Sequence, residues 1–504
     1  MQYPERVFVF LASGFGVLFI LLIPPFQSPD EYAHFYRSYQ ISEGQLIAER
    51  KANSIGGYLP ESLLTTILGV TKDIPMRPLA FPSSLSSTFI ELGVSIDIPS
   101  HRSKRLTLSD FTSLIKLSIN SQKRIFFTFQ NTASYSPIPY LPQSIGFMFG
   151  RIFNFSPILL FYTARVFNLF VWICLVYFSL KIIPFSKWVF LLLALTPMSI
   201  FLSSTLSADT FTNGMSFLII SLFIRFAYDK NKEIKIDDIL VLIILSGLLF
   251  LSKQGYIFLL FLFFLIPVDK MAVIKNWKYS SLNYLIVFFI LALTNSLLLT
   301  LWSFLVRDTV SLPLVYFPNT SVHDQLKFII SYPLIYCRTI FDTFLIHKFY
   351  IGGMIGLLGW QDTPMPKSIL YSYFIVILAT SFIERDKQYV IPRINKFLIF
   401  SIMMLSYLMI ATLAYLVWSP LRFKLIVGIQ GRYFIPIFPL LTLLFYNTKV
   451  SNQRLRVKSF VLEKHLLIID YLRNNKNKMN LSIIVYVLFS LLCTLIVIVR
   501  RYWL

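Results

Sequence analysis

Arg6-Val-Phe-Val-Phe-Leu-Ala-Ser-Gly-Phe-Gly-Val-Leu-Phe-Ile-Leu-Leu-Ile23, followed by Pro24-Pro25-Phe26-Gln27-Ser28-Pro29-Asp30-Glu31-Tyr32-Ala33-His34-Phe35-Tyr36-Arg37, is the stretch whose reading decides the fold. The apolar part has the length of a bilayer crossing, about 17–25 residues. A basic residue before an apolar run also opens a secretory leader, but here Pro-Pro-Phe-Gln follows, without a small-residue cleavage pair. The run therefore reads as an uncleaved first span, with Arg6 holding the N-terminus inside.

Similar runs recur along the 504 residues, of which 56% are hydrophobic, 14% charged and 50 are Phe. A soluble domain has no interior for that much apolar surface, so lipid covers part of it. The formal charge of +22 does not point to nucleic acid, since no basic-aromatic module or zinc pattern accompanies it. Basic residues collect in short loops between apolar runs, as the positive-inside rule expects. The three cysteines, Cys174, Cys337 and Cys493, are too far apart for a CxxC or metal spacing.

Threading from Arg6 predicts an all-α membrane protein, a polytopic bundle of about eleven helices. After the first span the expected crossings are 157–180, 188–204, 209–228, 239–252, 256–268, 282–304, 367–383, 397–418, 433–446 and 481–499. Residues 1–446 form the core, 447–480 a basic inner loop and 481–504 the last helix. Residues 26–156 make a large outer loop and 305–366 a second outer segment. Two joints stay open. Tyr135 to Phe153 reads as a span or as a helix along the outer face, and only the second keeps every later basic loop inside. The runs 239–252 and 256–268, separated by Ser252-Lys253-Gln254-Gly255, read as two spans or as one broken helix. Asp324 to Lys348 predicts a single amphipathic helix.

The densest ionisable cluster lies just beyond the first span. If Asp30 starts a helix, Asp30, His34 and Arg37 share one face. Asp30, with Glu31 beside it, is then either a helix cap or a carboxylate able to take a hydroxyl proton. Lys253 and Gln254 interrupt an apolar stretch, and charge at that depth faces a cavity or snorkels to the interface. Gln430-Gly431-Arg432-Tyr433 opens a span, where Arg432 is a phosphate ligand or an interfacial anchor. Asp209 reads as a helix cap. Trp360 and Asp362 suit a sugar or a membrane-interface belt. Tyr135 and Tyr140, with prolines between them, set a rigid bend or touch an acceptor. No Walker, GxSxG, HExxH or dinucleotide fingerprint occurs.

Pro29-Asp30-Glu31-xx-His34, Tyr135-xx-Ile138-Pro139-Tyr140-Leu141-Pro142, Ser204-xx-Ser207-x-Asp209, Leu251-x-Lys253-xx-Tyr256 and Gln430-Gly431-Arg432-Tyr433-Phe434-x-Pro436 together resemble a bacterial membrane-protein family called domain of unknown function 2142. That family in turn resembles the GT-C superfamily of glycosyltransferases. The resemblance implies a polyprenyl-phosphate-sugar donor, a periplasmic site on the bacterial inner membrane and an acceptor such as O-antigen. It implies an inverting reaction with the catalytic carboxylates at Asp30, as the base, and its neighbour Glu31. Donor-phosphate contacts would come from His34, Arg37, Lys253, Gln254, Gln430, Arg432 and Tyr433, and sugar or acceptor contacts from Tyr135, Tyr140, Trp360 and Asp362. No metal ligand set is evident, although a divalent metal stays possible. The rival readings are a flippase for lipid-linked sugars, which would place its charges at mid-membrane within repeats, and an O-antigen polymerase, which would carry its large outer loop late in the chain.

Overall fold

Where apolar runs are uninterrupted they become helices long enough to cross a bilayer. Among the described residues, the computed structural model has six of them: Pro4–Leu22, Pro157–Ile182, Ala208–Tyr228, Leu282–Leu305, Arg393–Trp418 and Lys476–Tyr502. The structure describes residues 3–52, 54–71, 76–78, 97–99, 108–271, 280–310, 321–346, 350–384, 386, 388–446 and 475–504. Most of the expected basic loop 447–480 therefore lies outside the described residues. So do the basic stretch 101–105, Lys275, Lys278, Arg385, Lys387 and Lys348.

The chain is a mostly helical membrane protein, and the expected count of eleven spans is not confirmed. Among the described residues six helices qualify by length and apolarity, or seven if one bent pair is a single span. Proline explains much of the shortfall. The expected 188–204 span is two helices, Lys187–Ala194 and Pro197–Ser203. Pro197 lacks the amide hydrogen that would continue the first, and the Thr196 hydroxyl caps the second by accepting from Ser199 N at 3.2 Å. The 433–446 run is a 3-10 segment, Gly431–Ile437, carrying Pro436, and then a helix, Phe438–Phe445. The single helix expected over 324–348 is Val322–Ser331 and Pro333–Ile346, bent by 106° where Pro333 interrupts the hydrogen-bond ladder.

Hydrogen bonds between termini fix which way each helix runs. At one end of the bundle, Trp503 Nε1 donates to Leu22 O at 2.7 Å and Trp302 Nε1 to Ser134 O at 3.0 Å. Arg501 pairs there with Asp362 at 2.6 Å. At the opposite end, Lys270 Nζ donates to Asp229 O at 2.7 Å, and Asn395 Nδ2 to the Tyr228 hydroxyl at 2.9 Å. Glu384 accepts there from the amides of Trp188 and Val189 at 3.1 Å.

These contacts resolve the 239–268 ambiguity. Ile236–Ser252 rises from the Lys270 end, and the 3-10 segment Gln254–Leu265 returns to it. There the Tyr284 hydroxyl donates to Phe263 O and Ile266 O. The two runs are antiparallel passes, not one broken helix. Winding as a 3-10 helix stretches twelve residues to about 24 Å, against about 18 Å for an α-helix.

Leu141–Ile152, with 12 residues, is about 18 Å long and short of the roughly 30 Å hydrocarbon core. It packs tightly on the Pro157–Ile182 helix: a Cβ on Gly146 would meet Ala164 Cα at 2.8 Å. The first loop also holds strands, which the all-α reading lacked. Glu49–Lys51, Ser54–Pro60 and Arg124–Thr128 form an antiparallel sheet. The Ala208–Tyr228 helix is the bundle's axis, with 94% of its apolar window buried. Leu282–Leu305, at 22%, lies at the periphery and leaves Phe289, Leu293, Leu297 and Leu301 exposed as a lipid-facing row.

Candidate active site

Glu31–Ser42 follows the first span after the segment Ile23 to Asp30, and its N-cap is Asp30, in the left-handed region at φ 59°. The cap interaction is made by the Asp30 backbone carbonyl, which accepts from Ala33 N and His34 N at 2.9 and 3.0 Å. The carboxylate makes no capping bond. It accepts instead from Asn131 Nδ2 at 2.9 Å and faces Arg432, Oδ2 to Nη2, at 3.8 Å. Left-handed backbone at a residue other than glycine costs stability and recurs at functional sites. The capping explanation therefore does not account for this side chain.

Behind Arg432 lies a carboxylate that the sequence reading misassigned. Asp209 is not the cap of its helix. The Ser207 hydroxyl is, accepting from Asp209 N at 3.1 Å. The Asp209 side chain pairs with Lys253 Nζ and lies 3.5 Å from Arg432 Nε. Buried opposite charges this close neutralise one another, which is what makes two cations tolerable near membrane depth. Asp30, with 28% of its side chain exposed against 9% for Asp209, is the carboxylate a substrate can reach.

These groups converge on a cleft lined by Asp30, His34, Asn131, Thr132, Tyr135, Asp209, Lys253, Trp418, Arg432 and Tyr433. Tyr433 braces both cations with its ring face, 4.6 Å from Lys253 Nζ and 5.4 Å from the Arg432 guanidinium carbon. Arg432 is 5% exposed, and its Nε and Nη1 have no hydrogen-bond acceptor despite their burial. Burial raises the Asp30 carboxyl above the ordinary carboxylate value, Asp209 adds to the rise, and Arg432 opposes it. Burial lowers His34 to about 3.

Of the expected site residues, Asp30, His34, Tyr135, Lys253, Arg432 and Tyr433 meet in this cleft. The others do not. Glu31 is fully buried against Arg165 at 2.8 Å and also accepts from Leu206 N at 2.9 Å. It ties the loop to the Pro157–Ile182 helix and to the turn before Ala208–Tyr228, and it does not line the cleft. Arg37 is spent on Gln40 Oε1 and on the carbonyls of Leu46 and Tyr135. It supports the cleft wall from behind, because the left-handed backbone of Asp30 breaks the helical phase and the one-face spacing stops at His34. His34 is uncharged at neutral pH and hydrogen-bonds through Nδ1 to the buried Tyr140 hydroxyl at 2.9 Å, so it brings no cation to a phosphate. Tyr140 is committed to that bond.

Gln254 is exposed at the start of its segment, away from the cleft. Gln430 does not line the cleft; it lines a separate crease that shares Arg432 with it. Trp360 stacks on Tyr32 at 6.4 Å and donates to Phe26 O at 3.4 Å. Asp362 is held by Arg501. Asn131, Thr132 and Trp418 carried no sequence signal. Asp209 did, since a buried Lys253 requires a partner. Among the described residues, no group of three or more His, Cys, Asp or Glu is placed to hold a metal.

The family model described as a predicted membrane protein of unknown function, DUF2142, matches residues 13–441, so the chain belongs to that family. The family description assigns no activity. No curated protein and no solved structure matches the chain.

Proposed function

We propose that this member of the family is a membrane glycosyltransferase. It would move a sugar from a polyprenyl-phosphate donor to a hydroxyl of a cell-surface glycan or lipid-linked acceptor, such as O-antigen, on the periplasmic side of a bacterial inner membrane. The observation that carries this reading is the Asp30 carboxylate: freed from capping, open to the cleft and set against two buried cations.

Positive-inside logic supports the sidedness. Lys181, Lys187, Lys230, Lys232, Lys235, Lys270, Arg393 and Lys396 follow or precede helix ends on the side opposite Asp30. The cleft then opens at the outer end, beside the exit of the first span.

In this mechanism the donor phosphate binds against Lys253 and Arg432, whose Nη1 has no hydrogen-bond acceptor among the described residues. The acceptor oxygen attacks the anomeric carbon from the face opposite the phosphate, inverting it. Its proton passes to Asp30. The anomeric C–O bond breaks with its electron pair going to the phosphate oxygen, where the two cations stabilise the growing charge. Asp209 holds both cations in place without touching substrate. No step needs a metal.

The test is mass and linkage analysis of the host surface polysaccharide in wild type, a deletion and Asp30→Asn. Loss of one sugar in both mutants supports the transferase. A glycan altered by the deletion but normal with Asp30→Asn supports a flippase or polymerase instead.

A further inference from the structure

Asn131 reaches Asp30 from the far end of the outer loop, 101 residues along the chain, and its Nδ2 donates to Asp30 Oδ1 at 2.9 Å. Among the described residues the Asn131 side chain makes no other hydrogen bond. The second carboxylate oxygen, Asp30 Oδ2, faces Arg432 Nη2 at 3.8 Å and accepts no hydrogen bond among those residues. The two oxygens of one carboxylate are therefore in different situations. One is held by a neutral donor, and the other is open on the side of the cation.

The backbone on both sides of Asn131 is tied down. The strand Arg124–Thr128 pairs with Ser54–Pro60 and leads directly into the short helix Gln130–Ala133. Between them Phe129 N donates to Ile55 O at 3.0 Å. The Thr132 hydroxyl donates to Ala33 O at 3.3 Å, in the helix that Asp30 opens. Further on, Trp302 Nε1 donates to Ser134 O at 3.0 Å and Arg37 Nη2 to Tyr135 O at 3.2 Å. Thr132 and Ala133 are buried, and Asn131 between the sheet and these contacts is half-buried at the cleft. An asparagine at the start of a short helix has an ordinary local use, which is to bond nearby backbone. This one caps nothing, and its bond crosses to another segment. Contacts of this kind lock the geometry of a functional group.

We propose that Asn131 is a positioning residue for the proton transfer: by donating to Oδ1 it fixes the plane of the Asp30 carboxylate and leaves Oδ2 as the oxygen that takes the acceptor's proton. The inference rests on the transferase reading. In the step, the acceptor O–H bond breaks, its proton goes to Oδ2 and its electron pair forms the bond to the anomeric carbon, as the bond from that carbon to the phosphate breaks. A donor to the charged carboxylate also favours that form, and so opposes the rise that burial imposes on Asp30.

The experiment uses the full-length protein in nanodiscs, with polyprenyl-phosphate-linked glucose, galactose and mannose as donors and isolated lipopolysaccharide as acceptor. Asn131→Leu, close in volume and without the donor, should lower kcat by about 10- to 100-fold. KM for the donor and inhibition by free polyprenyl phosphate should stay as in wild type. Added to Asp30→Asn, the same change should cost nothing further, a coupling that a merely structural role would not produce. The acid limb of kcat/KM should move to higher pH. Arg432, Lys253 and Asp209, the charged groups around Asp30, are unchanged in this variant, so the movement reports Asn131. Asn131→Asp keeps the shape should the leucine variant not fold, and it should raise the limb further because a second carboxylate adjoins the first. An equal loss in the wild-type and Asp30→Asn backgrounds, or a limb unmoved by Asn131→Asp, overturns the positioning role, while transfer by wild type leaves the transferase standing. Absence of transfer by wild type from every donor overturns both.

Discussion

Asp30 and Arg432 face one another at 3.8 Å, and Arg432 in turn lies 3.5 Å from Asp209. One guanidinium edge, Nε with Nη2, therefore faces both an accessible carboxylate and a buried one. That shared contact brings the start of the outer loop to the opening of a late apolar segment.

Asp30→Asn is the cleanest probe of the carboxylate. Asn tolerates the left-handed region at φ 59°, and no capping bond is lost. Transfer should fall by about 10²–10⁴-fold, the range of general-base catalysis, while circular dichroism and the melting temperature in detergent stay as in wild type.

The pH profile should carry the mark of burial. Because burial lifts the Asp30 carboxyl above its ordinary value, kcat/KM should fall with acid at a pH above that of an exposed aspartate. Arg432 favours the charged form, so Arg432→Gln should move this limb to still higher pH in the residual activity. A limb unmoved by that change would separate Asp30 from the titration.

His34 gives a stability effect of definite sign. Its folded value is lowered to about 3 by burial, against about 6.5 unfolded. Its contribution to stability is complete above the unfolded value. That contribution declines as pH falls below it, because the unfolded chain takes up a proton that the folded chain refuses. His34→Gln should flatten the dependence of melting temperature on pH between about 6.5 and 5.

Glu31 and Arg165 should behave as structure. Both side chains are fully buried. Glu31→Gln leaves a buried guanidinium without its counter-charge, a loss of about 3–5 kcal/mol. Arg165→Met combined with Glu31→Gln should cost less than the sum of the single changes, as measured by thermal unfolding in detergent.

Gly431→Ala should destabilise by more than the roughly 1–3 kcal/mol of ordinary overpacking, because its Cβ would meet backbone atoms of Tyr350 and Gly353. Gly352→Ala, whose Cβ would rest at 3.7 Å from Leu370 Cδ1, is the neutral control in the same melting experiment.

The spans were legible where the apolar run was long and unbroken, as in Ala208–Tyr228 and Arg393–Trp418. They were not where proline or a 3-10 segment set the local geometry, as at Pro197, Pro333 and Gln254–Leu265. The site was partly legible. Asp30, Lys253 and Arg432 stand out as charges in apolar surroundings, but their pairing depends on contacts between separate segments, with Lys253 reaching Asp209, and Arg432 reaching both Asp209 and Asp30. Asp209 was hidden because an acid at a helix start has an ordinary local explanation. Glu31 and Arg37 misled for the opposite reason. Proximity in sequence to Asp30 does not say that a side chain points the same way, and the left-handed turn at Asp30 breaks the helical phase.

The most direct measurement is the turnover of purified wild type and Asp30→Asn with a polyprenyl-phosphate-linked hexose and isolated lipopolysaccharide acceptor, run alongside melting of both proteins. The account predicts transfer by wild type, at least about 100-fold less by Asp30→Asn, and equal melting temperatures. Turnover by Asp30→Asn within about twofold of wild type, a change of about 0.4 kcal/mol in the barrier, would contradict it.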